Sequence, residues 1–422
     1  MTEISGHPQA VPGVFLGARQ GRPPSHSLGT RVLDLIASGQ ARSRTELTQL
    51  TGAAASTISL TVQNLISAGL VAEEGTGEST GGRPRKFLRI GGDSGYVVAA
   101  DIGGNHARIG VVESGGRPVD VSTIDFSISE GPEAGLSRLA IAFDNLIAAR
   151  PSGALRGVGI ALPGPVDFVG GFAESPARMP GWNRFPVRDW LENRFPVPAV
   201  VDNDANLMAL GEHAVHGPER QQSIIVKAGS AIGAGIIARG AIYRGATGAA
   251  GDITHVRIDA AGTTPCSCGN TGCLETVASG AALVRILVAQ GVDVTTTAEV
   301  VELATHGHPL ATRAVRDAGR YLGEVLSANV NFFNPDAVYL GGILSTLDPF
   351  VAAVRSQLYE GCHPLATQHL VIERASLGAD AGLVGAGNLA LQHTLTLALD
   401  ALDRAAPLKH YPKRTERAHV PN

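Results

Sequence analysis

The sequence predicts a small N-terminal domain of helices and two strands, followed by a larger α/β body. Three observations predict this division: helical spacing of apolar residues near the N-terminus, two glycine-rich hairpins further along, and an uneven distribution of charge. Apolar residues make up 44% of the 422 residues, which excludes global disorder. Apolar runs are too short to span a membrane, and residues 1–27 lack the apolar region of a signal peptide. We therefore expect a cytoplasmic protein whose residues 1–27 form a flexible arm.

The charge of the chain divides into three parts. Residues 1–92 hold nine basic and six acidic side chains, a net charge of +3, and residues 404–422 carry +4. Residues 93–403 carry −11. A basic end joined to an acidic body suggests two activities on one chain, although a basic solvated tail on an ordinary acidic globule gives the same distribution. We expect the tail, residues 404–422, to be disordered.

Segment 28–92 is predicted to form a winged helix-turn-helix domain of the α+β class. The spacing of its apolar residues predicts three helices, over 28–36, 44–50 and 54–68. Two short strands follow, beginning at 70 and spanning 86–90, and a glycine-rich loop joins them. Three helices followed by a two-stranded ribbon is the order of a winged helix-turn-helix. A small protein-interaction module is the alternative that this order leaves open.

The third predicted helix carries side chains suited to contacts in a DNA major groove. Small polar groups lie away from its apolar face, at Ser56, Thr57, Ser59 and Gln63. Residues 53–68 contain no Lys or Arg, so the cations that neutralise phosphates must lie around this helix. The candidates precede the second helix, begin it or lie in the wing: Arg42, Arg44, Arg83, Arg85 and Lys86. We therefore expect a double-stranded DNA operator as a partner.

Two glycine-rich hairpins mark the body. In the first, an apolar strand leads into a loop that contains Asp101, Gly103 and Gly104. In the second, an apolar strand leads into a loop that contains Gly229, Ser230 and Gly233. Glycine lets a backbone approach a phosphate closely. Two such hairpins suggest a nucleotide held between two lobes, although two ordinary hairpins would give the same pattern.

An acidic corner lies between the two hairpins. A strand ends in Asp202-Asn203-Asp204, and a helix follows directly. An Asp at such a corner can act as a general base on a hydroxyl group or hydrogen-bond a sugar. Helix N-capping by Asp204 is the simpler alternative.

A cysteine-rich loop is the strongest local signal in the sequence. Cys266, Cys268 and Cys273 lie close together, and His255 precedes them. Three thiolates and one imidazole are a standard tetrahedral zinc set. Because these four ligands leave no open position, we predict a structural zinc ion.

Taken together, these motifs resemble the ROK family of sugar kinases and sugar-responsive repressors, over roughly residues 28–391. The resemblance rests on Asp101-Ile102-Gly103-Gly104, Asn203-Asp204-Ala205-Asn206, His255, and the cysteine loop with Leu274-Glu275. It implies a two-lobed, actin-like (ribonuclease-H-like) ATPase-type body. Lobe 1 would span 93–205 and be completed by a C-terminal helix near 380–400, and lobe 2 would span 206–379. The winged domain resembles the repressor branch of the family.

The resemblance also implies an effector pocket in the cleft between the lobes. The positions that correspond to sugar-binding residues are Arg178, Asn203, Asp204, Asp252, His255 and Glu275. Arg178 stands where kinases of the family carry Asn. Its guanidinium could pair with the phosphate of a sugar phosphate or form an ion pair between the lobes.

Both phosphate loops depart from the kinase pattern. Asn105 stands where family kinases carry Thr, and Ala231 stands where they carry Gly, whereas the general base Asp204 is kept. Phosphoryl transfer depends on positioning and electrostatic stabilisation of phosphates, so these changes argue against bound ATP and Mg²⁺. We expect a homodimeric or homotetrameric repressor that responds to a sugar or sugar phosphate. An ATP-dependent sugar kinase that uses Asp204 as its base is the alternative.

Overall fold

The computed structural model describes residues 28–405 except for 38–39, 76–85, 92–94, 152 and 218. Three predicted features therefore lie outside the described residues: the arm at 1–27, the wing residues Arg83 and Arg85, and the tail from 406 onward. The first two residues of the predicted tail, Arg404 and Ala405, belong to the last helix.

The described chain contains helices and strands in alternation. The helices are α1 Leu28–Ala37, α2 Arg44–Thr51, α3 Ala55–Ser67, α4 Pro132–Ala148, α5 Val187–Arg194, α6 Asp204–His216, α7 Glu275–Ala278, α8 Gly280–Ala289, α9 Thr297–Thr305, α10 Pro309–Phe333, α11 Asp348–Gly361, α12 Pro364–Thr367 and α13 Ala381–Ala405. The strands are β1 Val71–Glu74, β2 Phe87–Ile90, β3 Tyr96–Ile102, β4 His106–Glu113, β5 Pro118–Asp125, β6 Leu155–Leu162, β7 Val166–Asp167, β8 Phe172–Ala173, β9 Ala199–Asn203, β10 Gln222–Ala228, β11 Ile232–Ala238, β12 Ala241–Ile242, β13 Ala337–Gly341 and β14 Val371–Arg374.

The N-terminal domain consists of α1 to α3 and the antiparallel β1–β2 ribbon. Its three helices begin and end within a residue of the predicted bounds, so those predictions are confirmed. Ser43 caps α2, and Gly52 ends it with a φ of 69°, a conformation that glycine adopts without strain. The apolar residues used for the prediction form the core, with Val32, Leu33 and Ile58 fully buried.

Two five-stranded sheets with the same topology form the body. In the first sheet, ordered β5-β4-β3-β6-β9, central strand β3 is antiparallel to β4 and parallel to β6. In the second, ordered β12-β11-β10-β13-β14, central strand β10 is antiparallel to β11 and parallel to β13. Each central strand leads into a glycine-rich hairpin. The two predicted phosphate loops therefore occupy corresponding positions in the two sheets.

Helix α13 links the parts of the protein. It packs against α6, against all five strands of the first sheet, and against α1 of the N-terminal domain. Glycines make its contact with α6 close: a Cβ on Gly385 would overlap the Leu207 carbonyl, and a Cβ on Gly211 would overlap the Ala381 carbonyl. The backbones of the two helices are therefore in direct contact where they cross.

None of the helices in the described part of the chain is both long enough and apolar enough to cross a membrane.

We predict that Gly385→Ala destabilises the protein. Alanine favours a helix over glycine by about 1 kcal/mol, but overpacking of a tight contact typically costs about 1–3 kcal/mol, so the overlap should outweigh the gain. Urea unfolding measures the change. Gly115→Ala is the control, because a Cβ at Gly115 meets nothing within 4 Å. Equal unfolding midpoints for the two variants would contradict the close helix crossing.

Candidate functional site

Three charged side chains meet where the two sheets face each other, and we call them the charged centre: Asp101, Asp204 and Lys227. Asp101 lies near the end of β3, Lys227 near the end of β10, and Asp204 is the first residue of α6. The Lys227 Nζ donates a hydrogen bond to the Asp204 Oδ2 at 2.5 Å. The Asp101 Oδ1 is buried and has no hydrogen-bond partner among the described residues.

The charges of this centre depend on one another. Burial lowers the pKa of Lys227, but the Asp204 and Asp101 carboxylates outweigh burial and raise it above its ordinary value. Burial raises the pKa of Asp101, the Lys227 ammonium opposes that rise, and the Asp204 carboxylate adds to it. The Lys227 ammonium therefore interacts with both carboxylates, that of Asp204 and that of Asp101.

The start of α6 is fixed by Asn203. Its side-chain oxygen accepts hydrogen bonds from the backbone N–H groups of Ala205 and Asn206, at 2.9 and 3.2 Å, and its Nδ2 donates to the Gly164 carbonyl at 2.8 Å. Asn203 is thus the N-cap, and the simpler alternative of N-capping by Asp204 is wrong. The cap leaves the Asp204 Oδ2 to face Lys227.

A second buried ion pair lies beside this corner, and the sequence motifs did not single it out. Arg244 donates two hydrogen bonds to the Asp202 Oδ2, at 2.8 and 2.5 Å. The Asp202 Oδ1 accepts from the Asn206 Nδ2 at 3.1 Å, and the Arg244 guanidinium lies 3.9 Å from the centre of the Phe168 ring. Asp202 belongs to the Asp-Asn-Asp motif, but its pairing with Arg244, 42 residues away, was not predicted from the sequence.

Arg178 and Glu275 form an ion pair between the lobes, which we call the interlobe ion pair. The Arg178 Nη2 lies 3.2 Å from the Glu275 Oε1. The Glu275 Oε2 accepts hydrogen bonds from the Ile232 backbone N–H at 3.1 Å and from the Thr254 hydroxyl at 2.7 Å. Arg178 is half exposed, whereas Glu275 is buried. Of the two roles considered for Arg178, the structure contains the ion pair between the lobes.

The remaining predicted effector residues lie in one segment. Asp252 is exposed and precedes a 3₁₀ turn, Ile253–His255. Thr254 in that turn contacts Glu275, and His255 contacts the cysteine loop. Asp252 and His255 were predicted from the sequence, but Thr254 was not, because a hydroxyl in this position belongs to no recognisable motif.

The first phosphate loop is a tight hairpin between β3 and β4. The Gly103 N–H donates to the His106 carbonyl at 2.9 Å, and Gly104 and Asn105 are exposed at the tip. A Cβ on Gly104 would meet nothing within 4 Å. The Gly104 and Asn105 carbonyls, however, accept hydrogen bonds from the Ile128 and Phe126 N–H groups, at 3.0 and 3.3 Å. The tip is therefore exposed, but its carbonyls are already used inside the protein.

The second phosphate loop packs against α8 and α9. The Gly229 and Ser230 carbonyls accept hydrogen bonds from the Gly280 and Ala281 N–H groups, at 2.8 and 3.0 Å. The Ser230 hydroxyl lies 3.2 Å from the Thr297 hydroxyl. Ala231 is exposed, and on the returning strand a Cβ at Gly233 would come within 3.2 Å of Ala205. Part of this loop's hydrogen-bonding capacity is thus used inside the protein.

Four side chains form a cluster that could hold a metal ion: His255, Cys266, Cys268 and Cys273. Their candidate ligand atoms all lie within 4.8 Å of one another. The Cys266 Sγ lies 3.5 Å from the His255 Nδ1, and the Cys268 Sγ lies 3.8 Å from the Cys273 Sγ. A tetrahedral zinc ion places two thiolate sulfurs about 3.8 Å apart and a sulfur and a nitrogen about 3.5 Å apart. The spacing therefore fits a tetrahedral ion.

Metal binding at this cluster must displace protons. Burial, together with the Cys266 and Cys268 thiols, raises the pKa of Cys273 to about 12. Only the thiolate binds a metal, so an ion would take the place of that proton at neutral pH. Two of the four residues adjoin the cleft: His255 follows Thr254, and Cys273 lies two positions before Glu275.

The exposed face of α3 contains most of the side chains predicted to contact DNA. Ser56, Ser59 and Gln63 are exposed, and Thr57 is half-buried. Leu60 lies on the same face and is 61% exposed. Leu60 was not predicted from the sequence, because an apolar residue on a helix normally belongs to the core.

Glu73 on β1 holds two of the cations predicted to contact phosphates. It forms ion pairs with Arg44 at 2.6 Å and with Lys86 at 2.5 Å, and hydrogen bonds from Lys86 and Arg44 lower the pKa of Glu73. Arg42 is exposed in the loop before α2. Among the described residues Arg42 forms no ion pair, whereas Arg44 and Lys86 are both paired with Glu73.

Comparison with known proteins gives a family match and two kinds of relative. Residues 97–393 match the ROK family. A putative xylose repressor from Caldicellulosiruptor sp. (strain Rt8B.4) is 31% identical over 371 residues, which cover 84% of this chain and 92% of that protein.

Two solved structures are similar to this one. A ROK family transcriptional regulator, a homologue of the E. coli MLC protein, has a TM-score of 0.75 and 25% identity and covers 89% of this chain and 98% of its own. A ROK family glucokinase from Streptomyces griseus, in complex with glucose and AMPPNP, has a TM-score of 0.60 and 30% identity. It covers all of its own chain but 71% of this one. The body thus has the two-lobed, actin-like fold predicted by resemblance, and the regulator extends over more of the chain than the glucokinase.

We predict that Cys268→Ser removes a stoichiometric metal ion and destabilises the body, because three ligands remain where four are needed. Plasma mass spectrometry of the purified variant measures metal content. Cys362→Ser is the control, since Cys362 is a buried cysteine outside the cluster. Unchanged metal content in Cys268→Ser would refute the ligand assignment.

Proposed function

The chain belongs to the ROK family, and we propose that it is a sugar-responsive, DNA-binding transcriptional repressor. The observation that carries this proposal is the N-terminal domain with the polar face of α3 exposed. The xylose repressor and the solved regulator cover 84% and 89% of this chain, whereas the glucokinase covers 71%. The two regulators therefore extend over more of this chain than the glucokinase does, which supports a regulatory role for the N-terminal domain.

We assign the N-terminal domain as a winged helix-turn-helix with α3 as its recognition helix. Ser56, Ser59 and Gln63 would reach base edges, and the exposed Leu60 side chain suits a thymine methyl group. Arg42 and the wing would contact phosphates. Operators are typically bound by proteins with two-fold symmetry, so we propose a homodimer or homotetramer. We propose that it acts in the cytoplasm.

The effector in this proposal is a sugar or sugar phosphate in the cleft. Glu275 and Asp204 would accept hydrogen bonds from sugar hydroxyls. In the structure Glu275 is paired with Arg178, and Asp204 is paired with Lys227. A sugar that binds Glu275 competes with Arg178 for the same carboxylate. Because Arg178 and Glu275 belong to different lobes, this competition favours one closure of the lobes over another.

A route from the cleft to DNA follows from the packing of α13. This helix begins beside Asp101, since a Cβ on Gly382 would overlap that carboxylate, and it contacts α1 of the N-terminal domain. A change in lobe closure that moves α13 would also move the winged domain. In a dimer, the changed spacing between two recognition helices would no longer match the half-sites of the operator.

We propose that the metal ion is a structural zinc. His255 and Cys273 adjoin Thr254 and Glu275, and these two side chains hydrogen-bond each other at 2.7 Å. Zinc would therefore hold the two segments that position the Glu275 carboxylate. Its four protein ligands leave no coordination position for a substrate.

A sugar kinase, alone or combined with repression, is the second candidate, and Asp204 is the observation that favours it. Asp204 occupies the general-base position, and the glucokinase is 30% identical. Its Oδ2, however, already accepts a hydrogen bond from Lys227, and the second phosphate loop bonds within the protein. These contacts favour binding of a sugar over its phosphorylation.

Operator selection tests the proposal. Full-length protein is mixed with sheared genomic DNA from its source at physiological salt, and retained fragments are sequenced and compared with scrambled versions in gel shifts. We expect binding about a thousandfold tighter than to scrambled DNA, in the usual range for specific recognition. If no fragment is retained more tightly than its scrambled version, the proposed function is wrong.

Variants separate base contacts from phosphate contacts. Gln63→Ala should weaken binding to the operator more than to scrambled DNA, because a base contact carries sequence information. Arg83→Ala with Arg85→Ala should weaken both and reduce the salt slope by about two. Arg316→Ala, exposed on α10, is the control for loss of a positive charge.

A further inference from the structure

The position of Lys227 is not explained by sugar binding. Its partners on the two neighbouring strands are glycines, since Lys227 on β10 pairs with Gly233 on β11 and with Gly341 on β13. Residues paired in this way point to the same face of a sheet. A Cβ on Gly233 would come within 3.2 Å of Ala205, and a Cβ on Gly341 within 2.7 Å of Met208, so the glycines let α6 pack closely against these strands. This close packing places Asp204, the first residue of α6, 2.5 Å from the Lys227 Nζ.

The surroundings of Lys227 are anionic and partly buried. Asp204 is 12% exposed at its side chain, and the Asp101 Oδ1 is buried without a hydrogen-bond partner among the described residues. Both carboxylates lie at the first turn of a helix, Asp204 on α6 and Asp101 against α13 at Gly382. The two carboxylates outnumber the Lys227 ammonium, and the helix N-termini, together with Arg108 and His106, partly offset the excess negative charge.

Two carboxylates in a partly buried site are also suitable ligands for a hard divalent cation, which completes its coordination with water. Mg²⁺ and Mn²⁺ prefer carboxylate oxygens and water, and kinases use such an ion to neutralise the phosphates of a nucleotide. A lysine ammonium and a divalent cation cannot occupy the same space between the same carboxylates. Lys227 provides its positive charge without dissociating from the protein.

We propose that Lys227 is a built-in cation that replaces a divalent metal ion between Asp101 and Asp204. Its ammonium neutralises Asp204 and keeps a metal-bound nucleotide out of the cleft. The site can then bind a sugar hydroxyl without transferring a phosphoryl group to it. This inference rests on the proposed function for the identity of the sugar pocket, but its test requires neither DNA nor sugar.

The test is Mn²⁺ binding to full-length, metal-loaded protein, followed by electron paramagnetic resonance. Lys227→Met removes the ammonium at similar side-chain length, and Lys227→Arg keeps a cation. We expect Lys227→Met to bind one Mn²⁺ about tenfold or more tighter than the wild type, because a competing positive charge is gone. Lys227→Arg should bind Mn²⁺ as weakly as the wild type. Adding Asp101→Asn to Lys227→Met should abolish the new signal.

Two results would overturn the proposal. One is Mn²⁺ binding to the wild type as tight as to Lys227→Met and dependent on Asp101. The other is a folded Lys227→Met that gains no Mn²⁺ site.

If Lys227→Met alone fails to fold, its combination with Asp204→Asn provides the second test, because that pair removes the carboxylate that Lys227 contacts together with the ammonium. Recovery of folding in the double variant supports a counter-ion role for Lys227. Failure of both variants to fold would contradict it. None of these outcomes depends on operator selection, so this inference and the proposed function can fail separately.

Discussion

The direct packing of α6 against α13 is the constraint on which the rest of the structure depends. Gly211 and Gly385 let the two helix backbones touch, and any larger residue would force them apart. The start of α6 carries Asp204, and the start of α13 lies against Asp101. The same α13 contacts α1 of the N-terminal domain. One helix pair thus fixes the carboxylates of the cleft and connects the cleft to the domain assigned to DNA.

Electrostatics then distinguish this cleft from that of a kinase. Phosphoryl transfer needs cations and backbone donors that are free to meet phosphates. Here the cations Lys227 and Arg178 are already paired with Asp204 and Glu275, one in the charged centre and one across the lobes. A sugar can compete for these carboxylates through hydroxyl groups. A ligand that binds these carboxylates would therefore change the ion pairs and, with them, the closure of the lobes.

Much of the fold could be predicted from the sequence because its determinants are local. Apolar spacing located α1 to α3 within a residue, and glycine-rich turns between apolar runs located both hairpins. The cysteine loop was also predicted, because metal ligands are recognisable by residue type alone, and the cluster brings the four ligands together.

The rest of the site depends on contacts between distant segments. Lys227 and Asp204 are 23 residues apart and Arg178 and Glu275 are 97 apart, and no local pattern links either pair. The sequence left open whether Arg178 binds a phosphate or Glu275, because both choices satisfy a guanidinium. N-capping by Asp204 was a reasonable alternative by residue type, but the adjacent Asn203 has the better geometry for that role. Which side chains pair across a cleft depends on tertiary packing, and the spacing of residues along the chain does not predict that packing.

Control of DNA binding by a sugar in the cleft can be measured in one titration. Fluorescence anisotropy of a labelled operator is measured with and without each member of a panel of pentoses, hexoses, amino sugars and their phosphates, after thermal shifts identify those that bind. We expect a bound sugar to weaken operator affinity by about fivefold or more, within the usual range of coupling between two sites. A sugar that stabilises the protein but leaves operator affinity unchanged would contradict it.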